Sequence, residues 1–241
     1  AVELMNSRAK MLGMNGTVYT DCTGMGEGNV TTANDTALLC SELAKYKNLT
    51  PYLTCWLDTV RDGKAELVNL NRLVRTYKGV TGMKAWGSEK AGSCIAATAE
   101  KGDMSVCVVL NGCDSPENMN AEAKKLLNLA FDTYEIYTPE LPENMVKETV
   151  VCGGEELSVK LAPEGLYPIV IPRGTYRMVE CDFTAEEKLD APVKNGETAG
   201  KIRYTMGGEV ILEGKIVACK EVKKMNFICG IKKLVYNLLS M

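Results

Sequence analysis

The feature that most constrains the fold is a change of pattern at residues 138–144, "TPELPEN". Before this stretch, apolar residues recur at helical spacing or form long β-rich runs, and after it short β-rich runs alternate with glycine and proline turns. Two prolines among acidic residues are typical of a linker. The 241 residues are therefore predicted to form two domains of different class, joined by residues 139–144.

Residues 1–138 are predicted to fold as helices packed on an antiparallel sheet, an α+β arrangement. Residues 2–13 show helical spacing and end at a glycine, and the capping pattern "TAND" at residues 32–35 predicts a second helix. A third helix follows Pro116, with apolar positions continuing to Tyr134. The runs "KAGSCIAATA" and "MSVCVVL", joined by a short turn, predict a hairpin of two mostly buried strands.

Residues 145–222 are predicted to form a small, β-sandwich-like all-β domain, because several short strands follow one another at short intervals. Residues 223–241 differ again, since apolar side chains at helical spacing are combined with a cluster of lysines. Such a helix is too short to span a bilayer but fits one that lies on a membrane surface, and the alternative is a helix docked on the β domain. The residues predicted to contact the membrane are Lys223, Lys224, Phe227, Ile231, Lys232, Lys233, Leu234 and Leu238.

The composition excludes several kinds of site. The chain has 0 histidines, so histidine-based triads and histidine zinc sites are excluded, and a general base would have to be lysine, a carboxylate, tyrosine or water. A formal net charge of -3 and the lack of a basic patch with interleaved aromatic residues predict no nucleic-acid partner. No pattern indicates a metal site or a cofactor.

The ten cysteines show no CxxC pair and are too sparse for a disulfide framework. Cys94 and Cys107 lie in strand-like runs and Cys40 lies on a helix face, so most cysteines are predicted to be small apolar core residues with free thiols.

The tetrad Ser7-Arg8-Ala9-Lys10 spells SxxK, the spacing that places a nucleophilic serine and a lysine one helical turn apart in penicillin-recognising enzymes. The alternative is the polar face of an ordinary helix. The predicted helix begins without a capping residue at position 1, so further chain is expected upstream.

Several segments, in order and spacing, resemble the D-alanyl-D-alanine carboxypeptidases, the low-molecular-mass penicillin-binding proteins of the S11 type. They are "LMNSRAKMLGMNGTVY", "TANDTALL", "GVTGMKAWGSEKAGSCIAATA", "MSVCVVL", "AEAKKLLNLAFDTYE", "YPIVIPRG" and "APVKNGETAGKI". The resemblance implies part of a β-lactamase-like transpeptidase domain, followed by a small β domain and a membrane-surface helix. It also implies an exported enzyme on the outer face of the bacterial cytoplasmic membrane. Such enzymes remove the terminal D-alanine from peptidoglycan stem peptides through a serine acyl-enzyme that β-lactams trap, and they need no cofactor.

The third active-site motif of this family, KTG, aligns with "GMKAWGSEKAG". Lys84 takes the place of the motif lysine, which supplies positive charge for the terminal carboxylate of the substrate. Ala85 stands in place of threonine and Trp86 in place of glycine, so a hydroxyl is lost and an indole is expected to crowd the strand. Ser88 matches a hydroxyl position that often follows the motif.

The two other family motifs, SxxK and SxN, are expected upstream of Ala1, since both precede the helix that contains Ser7 in the family. Ser7 is therefore predicted to be a decoy rather than a nucleophile. Two functional interpretations follow. The chain is either an N-terminally incomplete carboxypeptidase or a non-catalytic relative that binds peptidoglycan peptides or partner proteins at the membrane surface.

Overall fold

A computed structural model describes residues 1–227 and 231. The chain divides into two compact units, Ala1–Tyr134 and Glu135–Met241. The first unit combines helices with an antiparallel sheet, and the described part of the second consists mainly of strands. The predicted α+β class is therefore confirmed.

The first unit contains five α-helices. They are α1 (Val2–Met11), α2 (Ala33–Leu43), α3 (Thr50–Leu53), α4 (Leu73–Thr76) and α5 (Pro116–Thr133), with a 3-10 turn at Lys47–Leu49. The predicted starts of two helices are confirmed by their caps: the Thr32 hydroxyl accepts the Asp35 N–H at 3.1 Å, and the Ser115 hydroxyl accepts the Asn118 N–H at 3.1 Å. The predicted stop after α1 is also confirmed, because Gly13 has a φ of 76° and donates its N–H to Lys10.

One helix boundary was predicted wrongly. The apolar spacing extends the third helix to Tyr134, but α5 ends at Thr133, and Tyr134 begins a strand. Three of the four residues in "YEIY" are aromatic or β-branched, which favours an extended backbone over another helical turn.

The five strands of the first unit form two sheets. They are β1 (Leu57–Val60), β2 (Ala65–Val68), β3 (Val80–Ser88), β4 (Gly92–Lys101) and β5 (Met104–Cys113). Strands β1 and β2 pair with each other, and the central sheet has the antiparallel order β3-β4-β5. The predicted hairpin is β4 and β5, and β3 lies at the edge of the sheet.

Helices α5 and α2 cover opposite faces of the central sheet. Phe131 of α5 lies beneath the ammonium group of Lys101, which pairs with Met104 across β4 and β5. Helix α2 contacts β5, with its buried Cys40 near Cys107, three residues along the strand. Because side chains alternate along a strand, positions 104 and 107 lie on opposite faces. The sheet is therefore enclosed between the two helices.

The described part of the second unit contains a six-stranded sheet and a two-stranded sheet. Its strands are β6 (Tyr134–Tyr137), β7 (Glu148–Cys152), β8 (Ser158–Glu164), β9 (Ile169–Pro172), β10 (Val179–Ala185), β11 (Lys188–Asp190), β12 (Thr198–Met206) and β13 (Glu209–Ala218), with a 3-10 turn at Tyr176–Met178. The large sheet has the order β10-β12-β13-β8-β7-β11, parallel only between β7 and β11, and β6 pairs with β9.

One connected apolar core fills the second unit. Its largest members are fully or almost fully buried, and they come mainly from β8, β12 and β13: Val159, Leu161, Ile202, Tyr204, Leu212 and Ile216. The Tyr204 hydroxyl is satisfied by donating to the carbonyl of Glu140 at 2.8 Å.

The predicted membrane-surface helix falls mostly outside the described residues, including Lys232, Lys233, Leu234 and Leu238. Lys223, Lys224, Phe227 and Ile231 are described, and Phe227 is 83% exposed. In the part of the chain that the structure covers, no helix is long and apolar enough to cross a membrane.

Candidate functional site

The four predicted site residues lie on β3 at the edge of the central sheet. Lys84 pairs with Ala96 of β4, and Trp86 pairs with Cys94. Lys84, Trp86 and Ser88 are exposed, whereas Ala85 is buried. The alternation of a strand places Lys84 on the face that α2 partly covers and Ala85 on the α5 face.

The start of β3 is fixed by a buried asparagine. The Asn71 side chain is fully buried, donates to the carbonyl of Gly82 at 3.3 Å, and accepts the N–H of Leu73 at 3.1 Å. Gly82 has a φ of 145°, and a Cβ atom there would lie 2.9 Å from the Cβ of Leu53. The residues that precede Lys84 therefore hold a defined position against α3 and α4.

The end of β3 is fixed by polar contacts. The Ser88 hydroxyl accepts the N–H of Ala91 at 3.1 Å within the turn to β4, so this hydroxyl already has one structural role. In the same turn, Lys90 forms an ion pair with Glu27 of the glycine-rich loop at residues 23–29.

The glycine-rich loop is organised by Asp21. Its carboxylate accepts the N–H groups of Thr23, Gly24 and Gly26 at 2.6, 2.8 and 2.9 Å, and the Thr23 hydroxyl at 2.7 Å. The hydrogen bond from the Thr23 hydroxyl, followed by those from the backbone, holds the pKa of Asp21 far below its usual range. The loop beside the β3–β4 turn is thus held by an ionised carboxylate.

An open cavity of about 520 Å³ lies at the end of β3. Ala85, Trp86 and Ser88 line it together with Arg72 before α4, Asp114 after β5 and Met119 of α5. Arg72 also forms an ion pair with Glu117 at 3.0 Å. The backbone N–H of Glu117 and the Arg72 guanidinium lower the pKa of the Glu117 carboxyl. Residues of both charges, Arg72 and Asp114, therefore line the cavity.

Lys84 does not line this cavity, and its ammonium group is exposed on the other face of the strand. Among the described residues, no carboxylate forms an ion pair with Lys84. Its charge is accordingly available to an anionic group that approaches the edge of the sheet.

The SxxK tetrad does not have the arrangement of a nucleophile and its base. Ser7 and Lys10 are both exposed on α1, and in the described structure no hydrogen bond joins them. Arg8 of the tetrad instead bonds Glu42 of α2 at 2.6 Å, and Ala9 is buried. These contacts are those of a helix with a polar outer face.

An apolar cavity of about 360 Å³ lies beside α1. Leu4, Met5, Leu12 and Leu39 contribute to its lining, and Leu4 is 75% exposed. Helix α1 has one buried residue, Ala9. Apolar side chains beside α1 are therefore partly open to solvent.

Sequence reasoning missed the residues that other elements bring to the end of β3. Arg72, Asp114 and Met119 reach the cavity only through folding, and no local motif marks them. The one available signal was "DSP" at residues 114–116, which indicates a helix start and hence a loop beside the sheet.

Comparison with protein families identifies two matching regions. Residues 1–114 match the model of the D-alanyl-D-alanine carboxypeptidase family, Peptidase S11. Residues 131–224 match the C-terminal domain of penicillin-binding protein 5.

The chain is also similar to individual D-alanyl-D-alanine carboxypeptidases. The D-alanyl-D-alanine carboxypeptidase DacF of Bacillus subtilis (strain 168) is 31% identical over 237 residues, which cover 96% of this chain and 61% of DacF. DacC of Escherichia coli (strain K12), a D-alanyl-D-alanine carboxypeptidase, is 29% identical, with 94% of this chain and 57% of DacC covered. The chain thus spans about three fifths of the length of these relatives.

A solved structure of penicillin binding protein 5 from Haemophilus influenzae has a similar fold. Its TM-score is 0.76 at 24% identity, with 92% of this chain and 66% of that chain covered. At this identity the likeness concerns the fold alone.

Proposed function

The chain belongs to the D-alanyl-D-alanine carboxypeptidase family of low-molecular-mass penicillin-binding proteins, and we propose that it is part of an enzyme that removes the terminal D-alanine from peptidoglycan stem peptides. The observation that carries the proposal is Lys84, which is exposed and free of ion pairs with described residues on an edge strand. We assign to this lysine the role of binding the terminal carboxylate of the peptide.

The edge position of β3 supports this assignment. An extended peptide can add to the free edge of a sheet through backbone hydrogen bonds, and a nearby cation then fixes its carboxyl end. Trp86 limits how closely such a peptide approaches, because its indole is 42% exposed two residues beyond Lys84. We expect the complete protein to bind peptides ending in D-Ala-D-Ala and to be inhibited by β-lactams.

The proposed chemistry is acyl transfer to a serine. A serine hydroxyl attacks the carbonyl of the penultimate D-alanine, D-alanine leaves, and water then hydrolyses the ester. We propose that the serine and its lysine belong to polypeptide outside residues 1–241, because Ser7 is poorly placed and the relatives are longer. The open apolar surface beside α1 offers a place for such a segment to pack.

A second candidate is a non-catalytic member of the family that binds stem peptides. The residues that differ from the family motif favour this second candidate. Ala85 is 4% exposed and carries no hydroxyl, and Trp86 replaces the glycine of the motif. Both candidates use Lys84 to bind the peptide, and only the first releases D-alanine.

The test measures D-alanine release from a pentapeptide ending in D-Ala-D-Ala, using the protein encoded by the complete gene. For the enzyme we expect release in the unsubstituted protein and a loss of about 10²-fold or more in Lys84→Gln, with activity retained in Lys78→Gln, a control outside the site. Peptide binding that depends on Lys84 without D-alanine release would favour the second candidate. Equal activity in the two lysine variants would refute the role of Lys84.

A labelled penicillin tests the origin of the nucleophile. Residues 1–241 alone are expected to form no covalent adduct. An adduct that disappears in Ser7→Ala would restore Ser7 as the nucleophile and overturn the proposal that it lies elsewhere.

We further propose that the protein is exported and lies on the outer face of the cytoplasmic membrane, held there by residues 223–241. The support is the combination of lysines with apolar residues at helical spacing. Binding to anionic vesicles should weaken as salt is added. A chain ending at Asn226 is the suitable control, because it keeps the bridge between Gly154 and Lys224, and equal binding by this shortened chain would refute the role of the segment.

A further inference from the structure

Two asparagines, Asn69 and Asn71, lie in the loop between β2 and α4 and bond the backbone through their side-chain amides. The Asn69 amide nitrogen donates to the carbonyl groups of Cys55 at 3.0 Å and Leu53 at 3.4 Å. The Asn69 amide oxygen accepts the backbone N–H of Asn71 at 2.9 Å. The first amide therefore joins the end of α3 to the loop before α4.

The second amide joins this loop to β3. Asn71 is 0% exposed, its Nδ2 atom donates to the carbonyl of Gly82 at 3.3 Å, and its Oδ1 atom accepts the N–H of Leu73 at 3.1 Å. Because a backbone N–H only donates and a carbonyl only accepts, these partners fix which way the amide points. An ionised aspartate has the same shape but carries no donor, so it cannot keep both bonds.

Gly82 has a second contact that completes a closed set. Its φ is 145°, and a Cβ atom there would lie 2.9 Å from the Cβ of Leu53. Leu53 is also the residue whose carbonyl accepts a hydrogen bond from Asn69. The contacts thus run from Leu53 through the two asparagines to Gly82 and back to Leu53. A closed set of contacts restrains β3 against α3 more tightly than one hydrogen bond alone.

This set of contacts meets β3 where its pairing with β4 is irregular. The register shifts between Val80 and Gly82, and regular pairing resumes at Gly82 with Thr98 and includes Lys84 with Ala96. A bulge redirects the side chains of the strand that follows it. The placement of Gly82 therefore determines where the Lys84 side chain points, two residues further along the strand.

We propose that Asn69 and Asn71 are positioning residues, which hold the start of β3 so that Lys84 meets the terminal carboxylate of a bound peptide. Asn71 is fully buried, so it acts through Lys84 rather than on the peptide itself. This role presupposes the proposed carboxypeptidase function. Placement matters because a misplacement of about 1 Å, caused by a change away from the reacting atoms, can lower the rate about 10²-fold.

The test compares kcat/KM for D-alanine release among variants of the protein encoded by the complete gene. Asn71→Asp keeps the acceptor for Leu73 and loses the donor to Gly82, so we expect a loss of about 10–100-fold. Asn69→Asp, at a partly buried position, loses its donor in the same way and should lower kcat/KM by about 3–10-fold. Asn48→Asp makes the same change at an exposed position of the 3-10 turn before α3 and should stay within about 2-fold.

A double-mutant cycle with Lys84 separates positioning from a general loss of structure. If Asn71 acts through Lys84, the variant with both Asn71→Asp and Lys84→Gln should lie within about 3-fold of Lys84→Gln alone. A structural defect that is independent of Lys84 would multiply the two losses, and that result would overturn the positioning role. Where the peptide is bound without release, the same cycle is measured on its dissociation constant.

Hydrogen exchange tests the placement of the strand without any substrate. Amide exchange at residues 82–86 should be faster in Asn71→Asp than in the unsubstituted protein, and unchanged in Asn48→Asp. Unchanged exchange in Asn71→Asp would overturn the positioning role even if activity falls. If Asn71→Asp does not fold, Asn69→Asp takes its place in the cycle and in the exchange measurement.

Failure of the positioning role and failure of the proposed function give different results. An unsubstituted protein that neither binds the peptide nor releases D-alanine would refute the carboxypeptidase function. A loss of activity in Lys84→Gln without a loss in Asn71→Asp and Asn69→Asp would refute the positioning role alone.

Discussion

Two regions of the molecule differ in the exposure of their large apolar side chains. One is the region of α1 and α2, residues 2–43, and the other is the β12–β13 hairpin, residues 198–218. Six large apolar residues of the first region are exposed: Leu4, Met11, Val18, Met25, Val30 and Leu38. In the hairpin, Val210 is exposed, while Ile202, Tyr204, Leu212 and Ile216 belong to the core.

The α1–α2 region is organised by polar contacts to its backbone. The Asn6 side chain bonds both the carbonyl and the N–H of Tyr19, at 2.7 and 2.9 Å. Asp35 and Asp21 each accept backbone N–H groups from the preceding or following loop. In the hairpin, by contrast, burial in the apolar core that it shares with β8 supplies the main stabilisation.

The backbone of the α1–α2 region is thus well defined although six of its large apolar side chains are exposed. Polar side chains specify the path of the chain at α1 and α2, although several apolar side chains there are exposed. Exposed apolar surface of this kind is expected where another polypeptide segment packs, as proposed above for the surface beside α1.

The largest expected effect is in the hairpin. Ile202 is 0% exposed, so Ile202→Ala should lower the free energy of unfolding by about 2–5 kcal/mol through lost burial and a cavity. Urea unfolding followed by circular dichroism measures it. The matched control is Val210→Ala, at a residue 54% exposed, which should change stability by less than about 0.5 kcal/mol. Similar losses in the two variants would break the distinction between core and surface in this hairpin.

An intermediate effect is expected where a polar contact organises the α1–α2 region. Asp35→Ala leaves the Gly16 N–H and the Thr17 hydroxyl without their buried acceptor, at a cost of about 1–3 kcal/mol. The same unfolding measurement applies, with the exposed Asp103 changed to alanine as the control. A negligible loss in Asp35→Ala would mean that apolar contacts hold this region after all.

A small effect on stability is expected on the open apolar surface. Leu4→Ser should change the free energy of unfolding by less than about 0.5 kcal/mol, because Leu4 is 75% exposed. It should nevertheless reduce the fluorescence of a dye that binds exposed apolar surface. Leu129→Ser, at a residue 61% exposed on α5, is the control and should leave dye binding beside α1 intact. A stability loss of several kcal/mol in Leu4→Ser would show that this surface is part of the core.

The smallest effect is local and depends on pH. Because hydrogen bonds lower the pKa of Asp21 in the folded chain, its contribution is complete above the unfolded value of about 3.9 and is lost as the pH falls through the lower folded value. The Asp21 carboxyl resonance should thus titrate well below the usual aspartate range. Thr23→Val removes the hydroxyl donor and should raise that pKa, whereas an unchanged titration would refute the role of Thr23.

Local signals explain which parts of the fold could be predicted. Thr32, Ser115 and Gly13 act within a few residues of the helix ends that they mark, so the sequence shows them directly. Tyr134 was misassigned because helical spacing and strand propensity overlap at the end of α5.

The candidate site was predictable only in part. The family motif locates Lys84 on a strand, but Arg72 and Asp114 join the cavity at its end through tertiary packing that no local pattern encodes. The packing of α2 against β5 is likewise a tertiary contact that no local pattern encodes.

A shift of β3 by one residue would exchange the side chains on its two faces. Lys84 pairs with Ala96 and Ala85 with Ile95, so neighbouring positions serve different sides of the sheet. One residue inserted between Gly82 and Lys84 would turn the ammonium group towards α5 and the methyl group of Ala85 towards solvent. The length of the segment between Asn71 and Lys84 is therefore as much a requirement for the proposed carboxylate binding as the lysine itself.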